Sequence, residues 1–141
     1  MTIRSATYEE IVLIKSYGEK VRDEASMGYL KNSTVAQEEL QAFNNYLVSV
    51  NHKGRLEGWI LIGESMDYYH NDPVGIILEL YVFKSHRNKG LGKKLTKAAL
   101  SYFKQIGLRR VHLNVFAGNH AKKLYEKLGF ADVSTLMEKK I

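Results

Sequence analysis

The chain has 141 residues, no cysteine, one proline, and 21 lysines and arginines against 15 acids, a net charge of +6. The length suits a single domain of about 100–150 residues, long enough to bury a core without staples. The missing cysteine excludes a disulfide scaffold, cysteine-ligated zinc, an iron–sulfur site and a cysteine nucleophile. It fits a reducing cytoplasm. The N-terminus MTIRSATYEE has no apolar leader core, and no apolar run reaches the ~18 residues of a membrane span, so no membrane contact is expected.

In chain order, residues 2–6 read as a short strand. Thr7 and Glu10 form a T-x-x-E capping box that starts a helix. Ile11, Ile14, Tyr17, Val21 and Ala25 repeat along it at helical spacing. Residues 27–33 read as a loop. A second short helix is expected from Thr34, with Gln37 at the box position, to residues 44–45. Residues 46–51 and 56–63 read as strands joined by a turn at His52-Lys53-Gly54. Residues 65–73 read as a polar, aromatic loop. Residues 74–83 are a near-continuous apolar run, the mark of a buried strand.

After residues 84–90 (KSHRNKG) a helix is expected. Leu91, Leu95, Ala98, Tyr102 and Ile106 share one face of it, and Gly107 ends it. Residues 111–116 read as a strand. Gly118-Asn119 opens another helix, with Ala121, Leu124, Tyr125 and Leu128 on one face and Gly129 at its end. Residues 131–134 and 136–139 read as a closing strand hairpin. The order β-α-α-β-β-β-α-β-α-β-β implies an α/β fold, a mixed sheet with helices on its faces.

The charge is uneven. Residues 1–78 hold 7 basic and 11 acidic side chains, a balance of −4; residues 79–141 hold 14 and 4, a balance of +10. The second half offers a polyanion a favourable field. A nucleic-acid-binding module is one reading, but it calls for exposed aromatics among the basic residues or a binding motif. The aromatics of residues 81–130 sit mostly at periodic, core-facing positions.

The sequence Arg87-Asn88-Lys89-Gly90-Leu91-Gly92 lies between the buried strand and the helix that follows it. Glycines at a helix mouth let backbone approach a ligand closely. The unpaired N–H groups of the first turn favour phosphate, and Arg87, Lys89 and Lys93 add charge around that point. The motif is not a Walker A loop, because Lys94 follows Gly92-Lys93, and not a dinucleotide fingerprint, because position 95 is Leu. His52, His70, His86, His112 and His120 lack metal-ligand spacing, so no metal is expected.

Glu79-Leu80-Tyr81-Val82, then Arg87-x-x-Gly90-x-Gly92, then Asn119 and Leu124-Tyr125-x-x-x-Gly129-Phe130 together resemble the GNAT superfamily of acetyl-CoA-dependent N-acetyltransferases. The resemblance implies a mostly antiparallel sheet of about six to seven strands flanked by about four helices. It implies acetyl-CoA as acyl donor and an amine acceptor, small molecule or protein, with the chain acting as monomer or homodimer and without nucleic acid. It further implies that the strand at 74–83 splays from the next strand. Backbone at Leu80, Tyr81 and Val82 would then pair with the pantetheine arm. Residues 87–92 (Arg87, Asn88, Lys89, Gly90, Leu91, Gly92) with Lys93 would hold the pyrophosphate. Asn119, Lys122 and Tyr125 complete the cofactor-binding set.

Chemistry needs a base for the ammonium of the acceptor. Glu79 is the acid in an otherwise apolar stretch and by the period of two shares a face with Tyr81. The N–H of Val82 is a candidate oxyanion donor, and Tyr125 a candidate acid for the leaving thiolate. Without cysteine, direct attack in a ternary complex is favoured over a covalent relay. Acceptor selectivity is expected from loops, with Met27, Tyr29, Tyr68, Tyr69 and His70 as lining. Asp23, Glu24, Asp67 and Asp72 are the acids able to attract a cation. A coenzyme A-binding protein of the same fold without catalysis is the alternative reading.

Overall fold

A computed structural model describes residues 2–31, 45–67 and 69–141. These residues form five strands: β1 (Thr2–Ser5), β2 (Asn45–Val50), β3 (Leu56–Asp67), β4 (Asp72–Val82) and β5 (Val111–Leu113). They lie in the spatial order β1-β2-β3-β4-β5, antiparallel throughout except for the parallel pair β4–β5. The helices are α1 (Tyr8–Ser16), α2 (Gly18–Ala25), α3 (Leu91–Gln105) and α4 (Ala121–Lys127), with a 3-10 turn at Lys84–His86.

The capping box forms as the sequence predicts. Thr7 accepts from the Glu10 amide, and Glu10 accepts from the Thr7 amide while chelating Arg4 at 2.7 and 3.1 Å. The expected single helix breaks at Tyr17, which caps α1 and precedes α2. The helix expected from Thr34 lies outside the described residues. In the β2–β3 turn, Asn51 Oδ1 accepts from the amides of Lys53 and Arg55, and Gly54 takes φ +76°.

Three expectations are corrected. The loop at 65–73 is mostly strand: β3 and β4 run on to Asp67 and Asp72 and meet in a tight turn. Polar side chains on a two-stranded ribbon, one face of it solvated, hide strand character from hydropathy. The hairpin at 131–139 does not form, which leaves five strands rather than six or seven among the described residues; residues 130–141 carry neither helix nor strand. Leu136 there is 98% exposed, so no burial rewards pairing. In α3 the buried face is Leu91, Leu95, Thr96, Ala99 and Phe103, while Tyr102 and Ile106 are exposed. A stripe of Leu and aromatic residues at several spacings left two faces one residue apart, and packing selected Phe103.

The core has two halves. Ile14, Val21, Val48, Val50, Trp59 and Tyr81 pack between α1–α2 and one face of the sheet. Ile60, Ile62, Ile77, Leu95, Ala99 and Phe103 pack under α3 on the other. Each such large side chain contributes about 1.5–3 kcal/mol on burial. Gly75 permits the second contact, since a Cβ there would lie 2.6 Å from the Phe103 ring.

Candidate active site

Strand β4 has two unlike edges. Towards β3 it is paired from Asp72 to Val82, with Leu61 opposite Glu79 but Ile62 opposite Ile77. Leu78 is therefore the extra residue of a β-bulge. A bulge shifts the alternation of side chains. It leaves Ile77 in the α3 half of the core and puts Tyr81, and with it Glu79, on the α1–α2 face. Towards β5 the pairing covers only Gly75, Ile76 and Ile77. Beyond Ile77 the strands part and a cleft of about 900 Å³ opens. This is the splay that the sequence resemblance implies.

The alternation of antiparallel hydrogen bonds fixes where the backbone of β4 points. The Phe83 amide donates to the Glu57 carbonyl at 3.0 Å, so positions 81 and 79 also bond to β3. Leu80 and Val82 then turn their N–H and C=O groups into the cleft. Leu80, Tyr81 and Val82 all line it, together with Glu79 and Tyr125.

The head of α3 closes one end. Asn88 (φ +63°) and Gly90 (φ +76°) both adopt the left-handed conformation, which folds the loop back so that its amides face one way. The first helical bond is Lys94 N–H to Gly90 C=O, so the preceding amides point off the helix end. Gly92 packs at the mouth, where an added Cβ would lie 3.4 Å from Leu124 and 3.7 Å from Leu80. Arg87, Asn88, Gly90, Leu91 and Gly92 line the cleft. Lys89 and Lys93 are exposed beside them and are not among the lining residues. The turned-out amides, the glycine surface and the strand edge fit an extended, phosphorylated thioester.

Glu79 is half-buried in the cleft wall. Burial raises its carboxyl above the ordinary 4.5, against the opposing pull of a Trp59 hydrogen bond and the charge of Arg22. Trp59 Nε1 donates to Glu79 Oε2 at 2.7 Å. Tyr46, two strands away in the same row as Leu61 and Glu79, is pushed up to about 12 by burial and by the charge of Glu79. Tyr125 is buried on α4, edge-on to Phe130 at 5.7 Å, and burial pushes its phenol up to about 12. At neutral pH it keeps its proton.

Asn119 lines the cleft and joins two walls: its amide donates to the Ala25 carbonyl at 2.9 Å and its Oδ1 accepts from the Ala121 amide at 2.9 Å. Lys122 turns outward to Asp132 at 3.2 Å. Of the expected acceptor-side residues, Met27, Asp23 and Glu24 line the cleft. Tyr29 stands behind it, stacked on the lining Phe116 at 5.9 Å and donating to Glu138. Tyr69 and His70 lie at the β3–β4 turn, with Asp67 and Asp72, at the other end of β4. His70 there bonds buried Asp67 at 2.6 Å and Tyr69 is 82% exposed. Tyr68 lies outside the described residues. Sequence reading missed Trp59 and Arg22 as partners of Glu79. Neither was legible in the sequence: a hairpin centred between residues 69 and 70 sets Trp59 opposite Leu80, and only the bulge at Leu78 brings it opposite Tyr81 and diagonal to Glu79.

The sequence profile of the acetyltransferase (GNAT) family matches residues 9–130. The chain belongs to that family. It is thus an acyl-CoA-dependent N-acyltransferase. Spermine/spermidine N(1)-acetyltransferase of Bacillus subtilis strain 168 is 27% identical over 109 residues, covering 74% of this chain and 72% of that protein. Mycothiol acetyltransferase of Actinosynnema mirum is 38% identical over 72 residues, 50% of this chain and 24% of that protein. The crystal structure of a mutant of the BH1408 protein from Bacillus halodurans superposes with a TM-score of 0.80 at 22% identity, covering 100% of this chain and 99% of that one. Among the described residues no helix is long and apolar enough to cross a membrane.

Proposed function

We propose that this GNAT enzyme moves an acetyl group from acetyl-CoA to a primary amine by direct attack in a ternary complex. The observation that carries the proposal is the cleft between β4 and β5, with a half-buried carboxylate on one wall, a buried phenol on another and a helix mouth at its end. Acetyl-CoA supplies the activated acyl thioester. The outward backbone of Leu80 and Val82 holds the arm by strand-like pairing, and the amides from Asn88 to Gly92 hold the pyrophosphate.

Glu79 takes the proton of the acceptor. Its raised pKa brings it nearer to that of an amine, which improves it as a base. Trp59 fixes the carboxylate and Arg22 tempers the shift. The Val82 N–H faces the oxyanion, and Tyr125, protonated because buried, returns a proton to the thiolate. The acids on the cleft wall, Asp23 and Glu24, favour a cationic acceptor, in keeping with the polyamine-acetylating relatives.

Thermal melts with acetyl-CoA, coenzyme A, adenosine diphosphate and duplex DNA at two salt concentrations test the donor. A ligand specific for the native state raises the melting temperature with its concentration. A shift with both coenzyme A species is expected, and none with either would sink the proposal. Thiol release over an amine panel then reads the acceptor.

A further inference from the structure

The guanidinium of Arg87 is engaged three ways. Its Nε donates to the Val82 carbonyl at 2.7 Å, its Nη2 donates to Glu24 Oε2 at 3.0 Å, and its carbon sits 5.3 Å over the Tyr81 ring. The Val82 carbonyl is part of the open strand edge, and Glu24 belongs to the α2 wall of the same cleft. In this arrangement Arg87 bridges the cleft from its strand wall to its helix wall. It also covers backbone that an incoming arm would use.

This bridge is cheap to undo. The two side chains are 38% and 31% exposed, and solvent screening leaves such partly solvated pairs with little net stabilisation. A phosphate offers a guanidinium stronger, bidentate, charge-assisted bonds. Released from Arg87, Glu24 presents a carboxylate to the cleft next to Asp23, whose Oδ1 is buried with no hydrogen-bond partner among the described residues. The attacking nitrogen arrives as an ammonium and gives its proton to Glu79, so a second carboxylate that takes no part in that transfer is free to serve another nitrogen that stays protonated.

We propose that Glu24 binds a second ammonium group of a di- or polyamine acceptor, and that Arg87 masks it until the acyl donor is bound. The inference rests on the acetyl-transfer reading above. Arg87 thereby couples two sites: strand pairing at Val82 and a phosphate nearby both draw its side chain off Glu24. Coupling between sites is reciprocal, so amine and donor each tighten the other by one factor.

Isothermal titration of the full chain tests this, with spermidine as the amine and coenzyme A as a donor stand-in that permits no turnover. Spermidine should bind wild type roughly 5- to 20-fold tighter when coenzyme A is saturating. Arg87→Met keeps the packing on Tyr81 and removes the charge; it should bind spermidine alone as tightly as wild type does with coenzyme A. Glu24→Gln should bind spermidine weakly in both states with an unchanged circular dichroism spectrum. Spermidine affinity indifferent to coenzyme A, or unmoved in Arg87→Met, overturns the masking. No spermidine binding in either state overturns the ammonium site. Coenzyme A that fails to bind wild type overturns the acetyl-transfer reading itself, whereas its binding without coupling removes only the inference about Arg87 and Glu24.

Discussion

The two edges of β4 differ in what they do with the same backbone. Towards β3, pairing is continuous over eleven residues and is interrupted by one bulge. Towards β5, it stops after three residues. The paired edge makes a rigid plate on which Trp59, Glu79 and Tyr81 hold fixed positions. The open edge keeps donors and acceptors in reserve for a ligand. A sheet that closed on both sides would be more stable and would have no room for a substrate; one that opened on both would not hold Glu79 against Trp59. Stability and function are thus divided between opposite sides of one strand.

The largest test addresses the side chain that the paired edge presents. Glu79→Gln should lower kcat/KM by roughly 10²–10⁴, the usual worth of a general base, and remove the acidic limb of its pH profile. The sign of the stability effect is opposite. A carboxyl whose folded pKa lies above its ordinary 4.5 stabilises the fold below that value and loses the contribution as pH rises through the folded pKa. At neutral pH the charged form is a burden, so Glu79→Gln should melt no lower than wild type. A variant that melts several degrees lower would mark Glu79 as a structural ion-pair partner instead.

Next comes the plate itself. A Cβ at Gly58 would sit 2.6 Å from the Tyr81 carbonyl oxygen and 3.1 Å from Val82 Cα. Gly58→Ala should destabilise by about 1–3 kcal/mol, as overpacking does, measured by urea unfolding. On the open side Gly90→Ala meets no described atom within 4 Å but must hold φ +76°, a left-handed conformation that costs an L-residue about 1–2 kcal/mol. It should weaken coenzyme A binding by calorimetry more than Gly58→Ala does; the reverse order would deny the helix mouth a part in donor binding.

The smallest effect lies far from both edges. Glu10 is held down to about 2 by the Arg4 guanidinium, against burial, with help from the Thr7 amide and hydroxyl. A lowered carboxyl stabilises above its ordinary 4.5 and loses that contribution as pH falls towards 2. The slope of stability between those limits should flatten in Glu10→Gln, with catalysis unchanged at neutral pH.

What the sequence made legible was local or motif-borne. Thr7 and Glu10 define α1 because a cap is a short-range hydrogen-bond pattern. Gly107 and Gly129, both at positive φ, end α3 and α4 for the same reason. The ordered pair of motifs located the cleft. What stayed hidden depends on the third dimension. The bulge at Leu78 lies inside the near-continuous apolar run of residues 74–83 and shows only when register is known. Tyr69 and His70 read as acceptor lining because an aromatic loop resembles a pocket wall; the hairpin's length carries them to the end of β4 away from the cleft. The double duty of Arg87, near phosphate by motif and bonded to Glu24 in space, joins residues 63 positions apart, beyond any window of periodicity.

Trp59 is the chain's single tryptophan, and its indole N–H is bonded to the carboxylate of Glu79. The protein therefore carries its own optical indicator. Excited at the red edge of tryptophan absorption, where the nine tyrosines do not absorb, the emission comes from one indole whose hydrogen bond changes character when that carboxylate gains a proton. Glu79 can be titrated in the native enzyme, unlabelled, in the absence of either substrate.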